Sequence, residues 1–179
     1  MANIQKKTIG LLGGSFDPAH RGHLGISKIA LKKFKLKKIY WVITNKNPFK
    51  NKTFYSLEQR IKYAKKIAKA QKKIKIIHLD NIINSSRIID VINFFIKKKK
   101  MQNIYFIIGS DNLIQFHKWK SWKKIVKLVK LIVFSRRGYD RKGMKSLVAK
   151  NFKNRIIFIK NKPITISSTQ LKSQLKSNI

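Results

Sequence analysis

The sequence predicts an α/β fold, with a doubly wound, mainly parallel sheet of five to six strands and helices on both faces. Two observations support this prediction. Short apolar runs rich in β-branched residues recur along the chain, and they are continuous rather than alternating, as expected for strands covered on both faces. Segments with helical periodicity separate these runs, and alternating strands and helices are typical of a parallel sheet.

Six apolar runs are the candidate strands. The first, TIGLL at residues 8–12, ends directly before a pair of glycines. The others are IYWVIT at 39–44, IKIIHL at 74–79, IYFII at 104–108, LIVF at 131–134 and IIFI at 156–159. In open parallel sheets, ligands bind beyond the carboxyl ends of the strands. The residues that follow each run are therefore the first candidates for a functional site.

Five segments are the candidate helices. They are HLGISKIALKKF at 23–34, SLEQRIKYAKKIAKA at 56–70, RIIDVINFFI at 87–96, SWKKIVKLV at 121–129 and SSTQLKSQL at 167–175. The second segment begins at Ser56 and has Gln59 three residues later, which is the pattern of a capping box. The stretch RRGYDRKGMK at 136–145 is predicted to be a mobile loop.

Length and composition restrict the class of protein. A chain of 179 residues fits a single domain, residues 1–179. The absence of cysteine excludes disulfides and thiolate metal sites and agrees with a cytoplasmic protein. No segment approaches the ~18 apolar residues of a membrane span, so we expect no membrane partner. With six acidic residues and no close carboxylate pair, a two-carboxylate glycosidase and a protein-built magnesium site are disfavoured.

The chain is strongly basic, with 43 Lys and Arg against 6 Asp and Glu and a net charge of +37. Polyanions bind such a surface at low salt through counterion release. The lysines are nevertheless spread along the whole chain and accompany many isoleucines and asparagines. We therefore interpret the charge as a composition bias that also favours solubility, and we expect no specific nucleic-acid partner.

The stretch GGSFDPAHRGHL, residues 13–24, has the composition of a phosphate site. Gly13 and Gly14 allow the backbone to approach a ligand closely, and the following helix directs free N–H groups towards it. His20 and His23, in the spacing H-x-G-H, can face the same anion, and such donors suit a phosphate whose charge grows in the transition state. The stretch matches neither G-x-G-x-x-G nor the P-loop.

Four motifs together resemble one enzyme family. The stretch at 13–24 is similar to the G-G-S/T-F-D/N-P-x-H-x-G-H motif of the nicotinate-nucleotide adenylyltransferases, in the nucleotidyltransferase superfamily with the H-x-G-H motif. IIGSDNL at 107–113 resembles the family's G-x-D segment after the fourth strand, and FHKWKSW at 116–122 its F-x-x-W element. ISSTQLK at 166–172 is similar to the terminal I-S-S/A-T-x-I/L-R signature.

The resemblance implies a Rossmann-like enzyme of NAD biosynthesis that transfers AMP from ATP to nicotinate mononucleotide, giving deamido-NAD and pyrophosphate. Mg²⁺ would arrive with ATP. Because the nucleophile is already an ionised phosphate, positioning and charge stabilisation can be sufficient for catalysis. Three alternatives remain: nicotinamide mononucleotide as acceptor, phosphopantetheine as acceptor, and a non-catalytic basic domain that binds nucleic acid. The sequence leaves open whether the chain forms a homo-oligomer.

The resemblance also implies roles for individual residues. His20 and His23 would be catalytic and would hold the ATP phosphates. The other residues implied to bind ATP are Gly13, Gly14, Ser15, Phe16, Lys50, Gly109, Asp111, Ser168 and Thr169. The residues implied to bind the mononucleotide are Asn47, Trp119 and Arg136. Without the resemblance, Trp119 is equally compatible with the core, and Asp111, Ser168 and Thr169 could be helix caps.

The chain differs from the family pattern in three places, and in one of them Arg137 stands where many relatives have proline. Lys172 ends the last motif, where the family usually has arginine and its bidentate fork. SRIIDVI at 86–92 stands where the family often has Y-T-x-x-T-L, which places Ile88 near the position of a threonine that helps to bind the nicotinate carboxylate. Ser85, Ser86 or Arg87 could take over that contact, and an arginine suits a carboxylate.

Overall fold

The computed structural model describes residues 8–45 and 53–161. Their six strands form one sheet in which every neighbouring pair is parallel, and the strand order is β3-β2-β1-β4-β5-β6. The strands are β1 Thr8–Gly14, β2 Lys38–Ile43, β3 Ile74–Ile77, β4 Asn103–Gly109, β5 Lys130–Phe134 and β6 Ile156–Ile159. The predicted α/β class is confirmed, and this is the order of a doubly wound Rossmann sheet.

Helices connect the strands across both faces of the sheet. They are α1 Arg21–Lys33, α2 Leu57–Ala68, α3 Asp80–Ile83, α4 Ile88–Lys97, α5 Ser110–Gln115, α6 Trp122–Leu128, α7 Asp140–Met144 and α8 Leu147–Asn151. Single 3-10 turns occupy Phe116–Lys118 and Lys153–Arg155. The predicted capping box at the start of α2 is present, because the Ser56 and Gln59 side chains each accept from the other's backbone N–H. The predicted helix at 167–175 lies outside the described residues.

Besides differences of one or two residues at the ends of elements, two predictions of local structure were wrong. The strand predicted at 74–79 ends at Ile77, because Leu79 already caps α3. The stretch at 136–145 is not a loop throughout, since it contains α7. Within the described residues, no helix has the length and apolar character that a membrane span requires.

The core consists of two layers, one on each face of the sheet. Leu11 and Phe106 face one layer, while their chain neighbours Leu12 and Ile107 face the other. All four side chains are buried, which explains why the strand sequences are continuously apolar. Strand β1 lies between β2 and β4, and the order of the strands reverses direction at this point. The carboxyl ends of β1 and β4 therefore form the crevice at which doubly wound sheets bind ligands.

Candidate active site

The glycine turn after β1 lies at this crevice. β1 ends at Gly14, whose carbonyl accepts a hydrogen bond from the Thr44 N–H (3.2 Å) just after β2. A Cβ on Gly13 would meet Ile88 and Phe106, each 3.6 Å away. The start of α4 and strand β4 thus adjoin the turn, and the sequence stretch at 13–24 occupies the position expected of a ligand-binding loop.

His20 and His23 form the N-terminal cap of α1. The Nδ1 atom of His20 accepts a hydrogen bond from the Gly22 N–H (3.1 Å), and Nδ1 of His23 accepts one from the His20 N–H (3.2 Å). Together these bonds make a capping box built from imidazoles instead of Ser and Glu. The two ring centroids are 3.9 Å apart. The structure therefore brings the predicted histidine pair together at the first turn of a helix.

The cap hydrogen bonds also determine which nitrogen of each neutral ring has the proton. A ring nitrogen that accepts a hydrogen bond has no proton, so each neutral imidazole has its proton on Nε2. Burial, and secondarily the charge of Arg136, lower the pKa of His20 to about 4. His20 is only 5% exposed. At neutral pH it is therefore a neutral ring that accepts the cap hydrogen bond at Nδ1 and can donate to a phosphate from Nε2–H at the same time.

Aromatic side chains pack against the His23 ring of the histidine pair. The buried Phe16 ring lies 4.7 Å from the His23 ring and stacks on Trp41 at 5.2 Å between centroids. The Trp41 indole N–H donates to the buried Ser27 hydroxyl on α1 (2.9 Å). Because the Phe16 side chain is buried, only its backbone is available for the predicted contact with ATP.

A second part of the site follows β4 and β5. Asp111 is in the first turn of α5, and its Oδ1 lies 3.4 Å from the Arg136 Nε. Gly109, the last residue of β4, is in contact with both. A Cβ at Gly109 would overlap the Asp111 carboxylate and lie 3.0 Å from the Arg136 Nε. Asp111 makes no side-chain cap to α5, so the cap interpretation was wrong; the N-cap is Gly109.

Asp140 holds this second part in place, and the sequence analysis missed it. Its carboxylate accepts hydrogen bonds from the Ser110 hydroxyl (2.6 Å), the Ser135 hydroxyl and the Arg136 N–H (3.0 Å). Burial alone would raise the pKa of Asp140, but these hydrogen bonds outweigh it and the pKa is lowered. The bonds join residues that are up to 30 apart in the chain. The bonds from Ser135 and Arg136 span only five and four residues, but the bond from Ser110 forms only in the folded sheet and has no local sequence signal.

Trp119 belongs to the core on at least one face. Its ring stacks on Phe116, with centroids 4.9 Å apart and planes at 26°, and meets the edge of Phe106 at 6.0 Å. The side chain is partly buried. The packing interpretation of this tryptophan is therefore confirmed, and its predicted contact with the mononucleotide stays a prediction.

Of the residues just before α4, Ser85 stabilises the start of the helix, whereas Ser86 and Arg87 are exposed to a cleft. The Ser85 hydroxyl donates to Asp90 (2.6 Å) and accepts from the Arg87 N–H (3.1 Å), so it holds the start of α4. The exposed Ser86 and Arg87 line an open cleft of about 1160 Å³ beside Asn45. Of the three residues proposed to replace the family threonine, these two are available for a ligand.

Four predicted site residues lie outside the described residues: Asn47, Lys50, Ser168 and Thr169. The terminal motif at 166–172, including Lys172, lies outside them as well. In residues 8–45 and 53–161, no three His, Asp or Glu side chains form a cluster that could hold a metal ion.

A Rossmann sheet with backbone and imidazole donors at its crevice defines a nucleotide-binding protein of the H-x-G-H class. Comparison with known proteins agrees, since the model of the cytidylyltransferase-like family matches residues 11–174. The chain belongs to this family and, within it, to the nicotinate-nucleotide adenylyltransferases.

Individual relatives support this assignment. A probable nicotinate-nucleotide adenylyltransferase of Pelagibacter ubique (strain HTCC1062) is 52% identical over 170 residues, covering 94% of each chain. One from Clostridium tetani (strain Massachusetts / E88) is 34% identical over 188 residues, covering 97% of this chain and 88% of the relative. The Plasmodium falciparum nicotinic acid mononucleotide adenylyltransferase complexed with NaAD has a TM-score of 0.72 at 21% identity, covering 93% and 83%. At that identity the solved structure supports the fold alone.

Proposed function

We propose that this protein transfers the adenylyl group of ATP to nicotinate mononucleotide and releases pyrophosphate. A phosphate oxygen of the mononucleotide attacks the α-phosphorus of ATP, and the bond from that phosphorus to the bridging oxygen of the β-phosphate breaks. The products are deamido-NAD and pyrophosphate. Because the attacking phosphate is already ionised, no residue has to remove a proton from it.

The observation that supports this proposal is the pair of Nε2–H donors at the start of α1. His20 and His23 each use Nδ1 for the helix cap, so the ring proton of each neutral imidazole is on Nε2, the atom that can donate to a phosphate. The helix N-terminus adds its own positive end. Such donors stabilise the charge that grows on the phosphates as the bond to pyrophosphate breaks. Mg²⁺ enters this proposal as part of the ATP substrate.

We propose the remaining predicted residues as further contacts to the two substrates. The backbone of Gly13, Gly14, Ser15 and Phe16 would approach the phosphates, together with Lys50, Ser168 and Thr169. Gly109 and Asp111 would contact the adenosine ribose, where a carboxylate can accept from two hydroxyls. Asn47, Trp119 and Arg136 would bind the mononucleotide.

The acceptor is the less constrained part of the proposal. Ile88 beside Gly13 has no hydroxyl with which to bind a nicotinate carboxylate. The neighbouring Arg87 is exposed, and its guanidinium suits a carboxylate better than a neutral amide. We therefore propose nicotinate mononucleotide over nicotinamide mononucleotide.

Pyrophosphate release from ATP and Mg²⁺, measured with each acceptor in parallel, tests this function. We expect turnover with nicotinate mononucleotide and far less with nicotinamide mononucleotide or phosphopantetheine. Faster turnover with nicotinamide mononucleotide would contradict the acceptor, and no turnover with any of the three would contradict the enzyme. Arg87→Ala should raise the KM for nicotinate mononucleotide and leave the KM for ATP unchanged.

A further inference from the structure

Arg60, in the first turn of α2, is a buried cation beside the glycine turn. Its side chain is 2% exposed. Its Nη1 donates to the carbonyl oxygens of Ser15 and Thr44, both at 2.8 Å. Ser15 and Thr44 are the first residues after β1 and β2, so one guanidinium nitrogen joins the two loops at the carboxyl edge of the sheet.

Two buried carboxylates complete the environment of Arg60. Asp17, fully buried, accepts hydrogen bonds from the Phe54 and Tyr55 N–H groups (2.8 and 2.9 Å). Asp80, 8% exposed, accepts from the Thr44 hydroxyl (3.0 Å) and the Asn45 N–H (2.8 Å). Burial lowers the pKa of Arg60, and the charges of Asp17 and Asp80 oppose that change.

Holding the Ser15 carbonyl has a consequence for the next residue. The peptide bond between Ser15 and Phe16 is trans, so its C=O and N–H point in opposite directions. With the carbonyl directed at Arg60, the Phe16 N–H is directed away from it. Within the described residues this N–H donates to no protein acceptor.

The backbone at Phe16 shows that the turn is held in an unusual conformation. Phe16 has a φ of 47°, in the left-handed region that residues with a side chain rarely adopt. Such a conformation persists only where the surrounding contacts impose it. Here those contacts are the Arg60 bond on one side of the turn and the packing of the Phe16 ring on His23 and Trp41 on the other.

We propose that Arg60 is a positioning residue for adenylyl transfer: by holding the Ser15 carbonyl, it directs the Phe16 N–H at the phosphates of ATP. This inference rests on the proposed function. Arg60 itself does not touch the substrate. Its contribution is the alignment of a donor beside the Nε2–H groups of His20 and His23, where a misplacement of about 1 Å can cost about 100-fold in rate.

Arg155 offers a matched control at the opposite edge of the sheet. Its guanidinium also holds backbone carbonyls, donating from Nε to Val126 (3.0 Å) and from Nη2 to Lys127 (2.7 Å). These residues lie before β5 and β6, far from the carboxyl ends of the strands. Replacing Arg155 therefore removes a comparable bridge between backbone segments without disturbing the turn after β1.

The experiment compares Arg60→Met, Arg60→Lys and Arg155→Met with the wild type, at a temperature where circular dichroism shows each protein folded. Steady-state assays give kcat and the two KM values, and calorimetry gives the ATP affinity. We expect kcat to fall about 100-fold in Arg60→Met, with little change in the acceptor KM. Arg60→Lys keeps the charge between Asp17 and Asp80 but lacks the planar fork, so it should fold like the wild type and recover only part of kcat. Arg155→Met should lower the melting temperature and leave kcat unchanged.

Each outcome decides the inference. A folded Arg60→Met or Arg60→Lys with wild-type kcat and ATP affinity would overturn it, as would an equal loss of kcat in Arg155→Met. Should Arg60→Met fail to fold, the folded Arg60→Lys decides alone. A wild type that binds ATP but turns over no acceptor would contradict the proposed function instead. In that case the ATP affinities of the variants still test the position of the donor.

Discussion

The two parts of the candidate active site are stabilised in different ways. In the histidine pair His20 is buried and His23 is partly buried, and the hydrogen bonds join residues only two or three apart in the chain. The Asp111–Arg136 pair is half-exposed, and the bonds that fix it through Ser110 and Asp140 span 26 and 30 residues. One part is therefore a local motif, whereas the other exists only once β4 and β5 have paired.

The difference in exposure also makes the electrostatic interactions of one part stronger than those of the other. A neutral N–H donor in a buried position, such as that of His20, acts on a phosphate with little screening. An exposed ion pair is weakened by water and by salt, and it contributes up to about 1 kcal/mol. We therefore expect substitutions in the histidine turn to have larger effects on catalysis than substitutions beside Arg136.

The largest effect is predicted for the histidines. His20→Ala and His23→Ala should each lower kcat at least ~100-fold, the cost of removing one transition-state donor. His20→Asn separates the two roles of that ring, because asparagine is a good N-cap but has no Nε2–H. It should retain the stability of the wild type, which chemical denaturation measures, and still lose kcat. A near-normal kcat in any of these variants would show that the Nε2–H groups do not act on the phosphates.

A smaller effect is predicted for Asp140→Ala. Its loss leaves the Ser110 and Ser135 hydroxyls and the Arg136 N–H without their carboxylate, at a cost of about 2–3 kcal/mol in the free energy of unfolding. The displaced Arg136 should lower kcat/KM by about 10-fold, equivalent to about 1.4 kcal/mol. Glu58→Ala removes the same negative charge from an exposed position on α2 and is the matched control. Equal losses in both variants would mean that net charge, not the position of Arg136, matters.

The same contrast explains what the sequence could predict. All six strands were predicted, because buried parallel strands are continuously apolar, and the histidine turn was predicted because its residues are contiguous. The short helices α3, α7 and α8 were missed, since four or five residues show no helical period. Asp140 and Arg60 were missed because their roles depend on distant partners, Ser110 and Ser15, which are 30 and 45 residues away.

Gly109→Ala tests the exposed part with a single methyl group. The new Cβ would overlap the Asp111 carboxylate and push it away from Arg136. Since an exposed ion pair contributes up to about 1 kcal/mol, we expect the KM for ATP to rise about 5-fold or less. A Cβ on Gly14 meets no atom closer than 3.8 Å, so Gly14→Ala should fold normally. If Gly14→Ala also leaves the KM for ATP unchanged, the phosphates do not approach this backbone.

The smallest predicted effect concerns the pKa of His20, which the charge of Arg136 in the second part of the site helps to lower. NMR of the imidazole protons should give a pKa of about 4 for His20. In Arg136→Gln we expect the pKa to rise but to stay well below 6.5, since burial is the larger cause. Arg137→Gln, the neighbouring control, should leave the His20 pKa where it is in the wild type. A value near 6.5 in the wild type would show that the ring is solvated.

The sign of the accompanying change in stability follows from the same shift. An unfolded histidine takes up a proton near pH 6.5, whereas folded His20 does so only near pH 4. The stability that His20 contributes is therefore complete above pH 6.5 and is lost as the pH falls to 4, by about 3 kcal/mol at most. Asp140, with its lowered pKa, loses its contribution below its ordinary pKa of 3.8, in a more acidic range. Denaturation of His20→Asn should consequently depend less on pH than that of the wild type between pH 6.5 and 4, while Asp140→Asn should leave this interval unchanged.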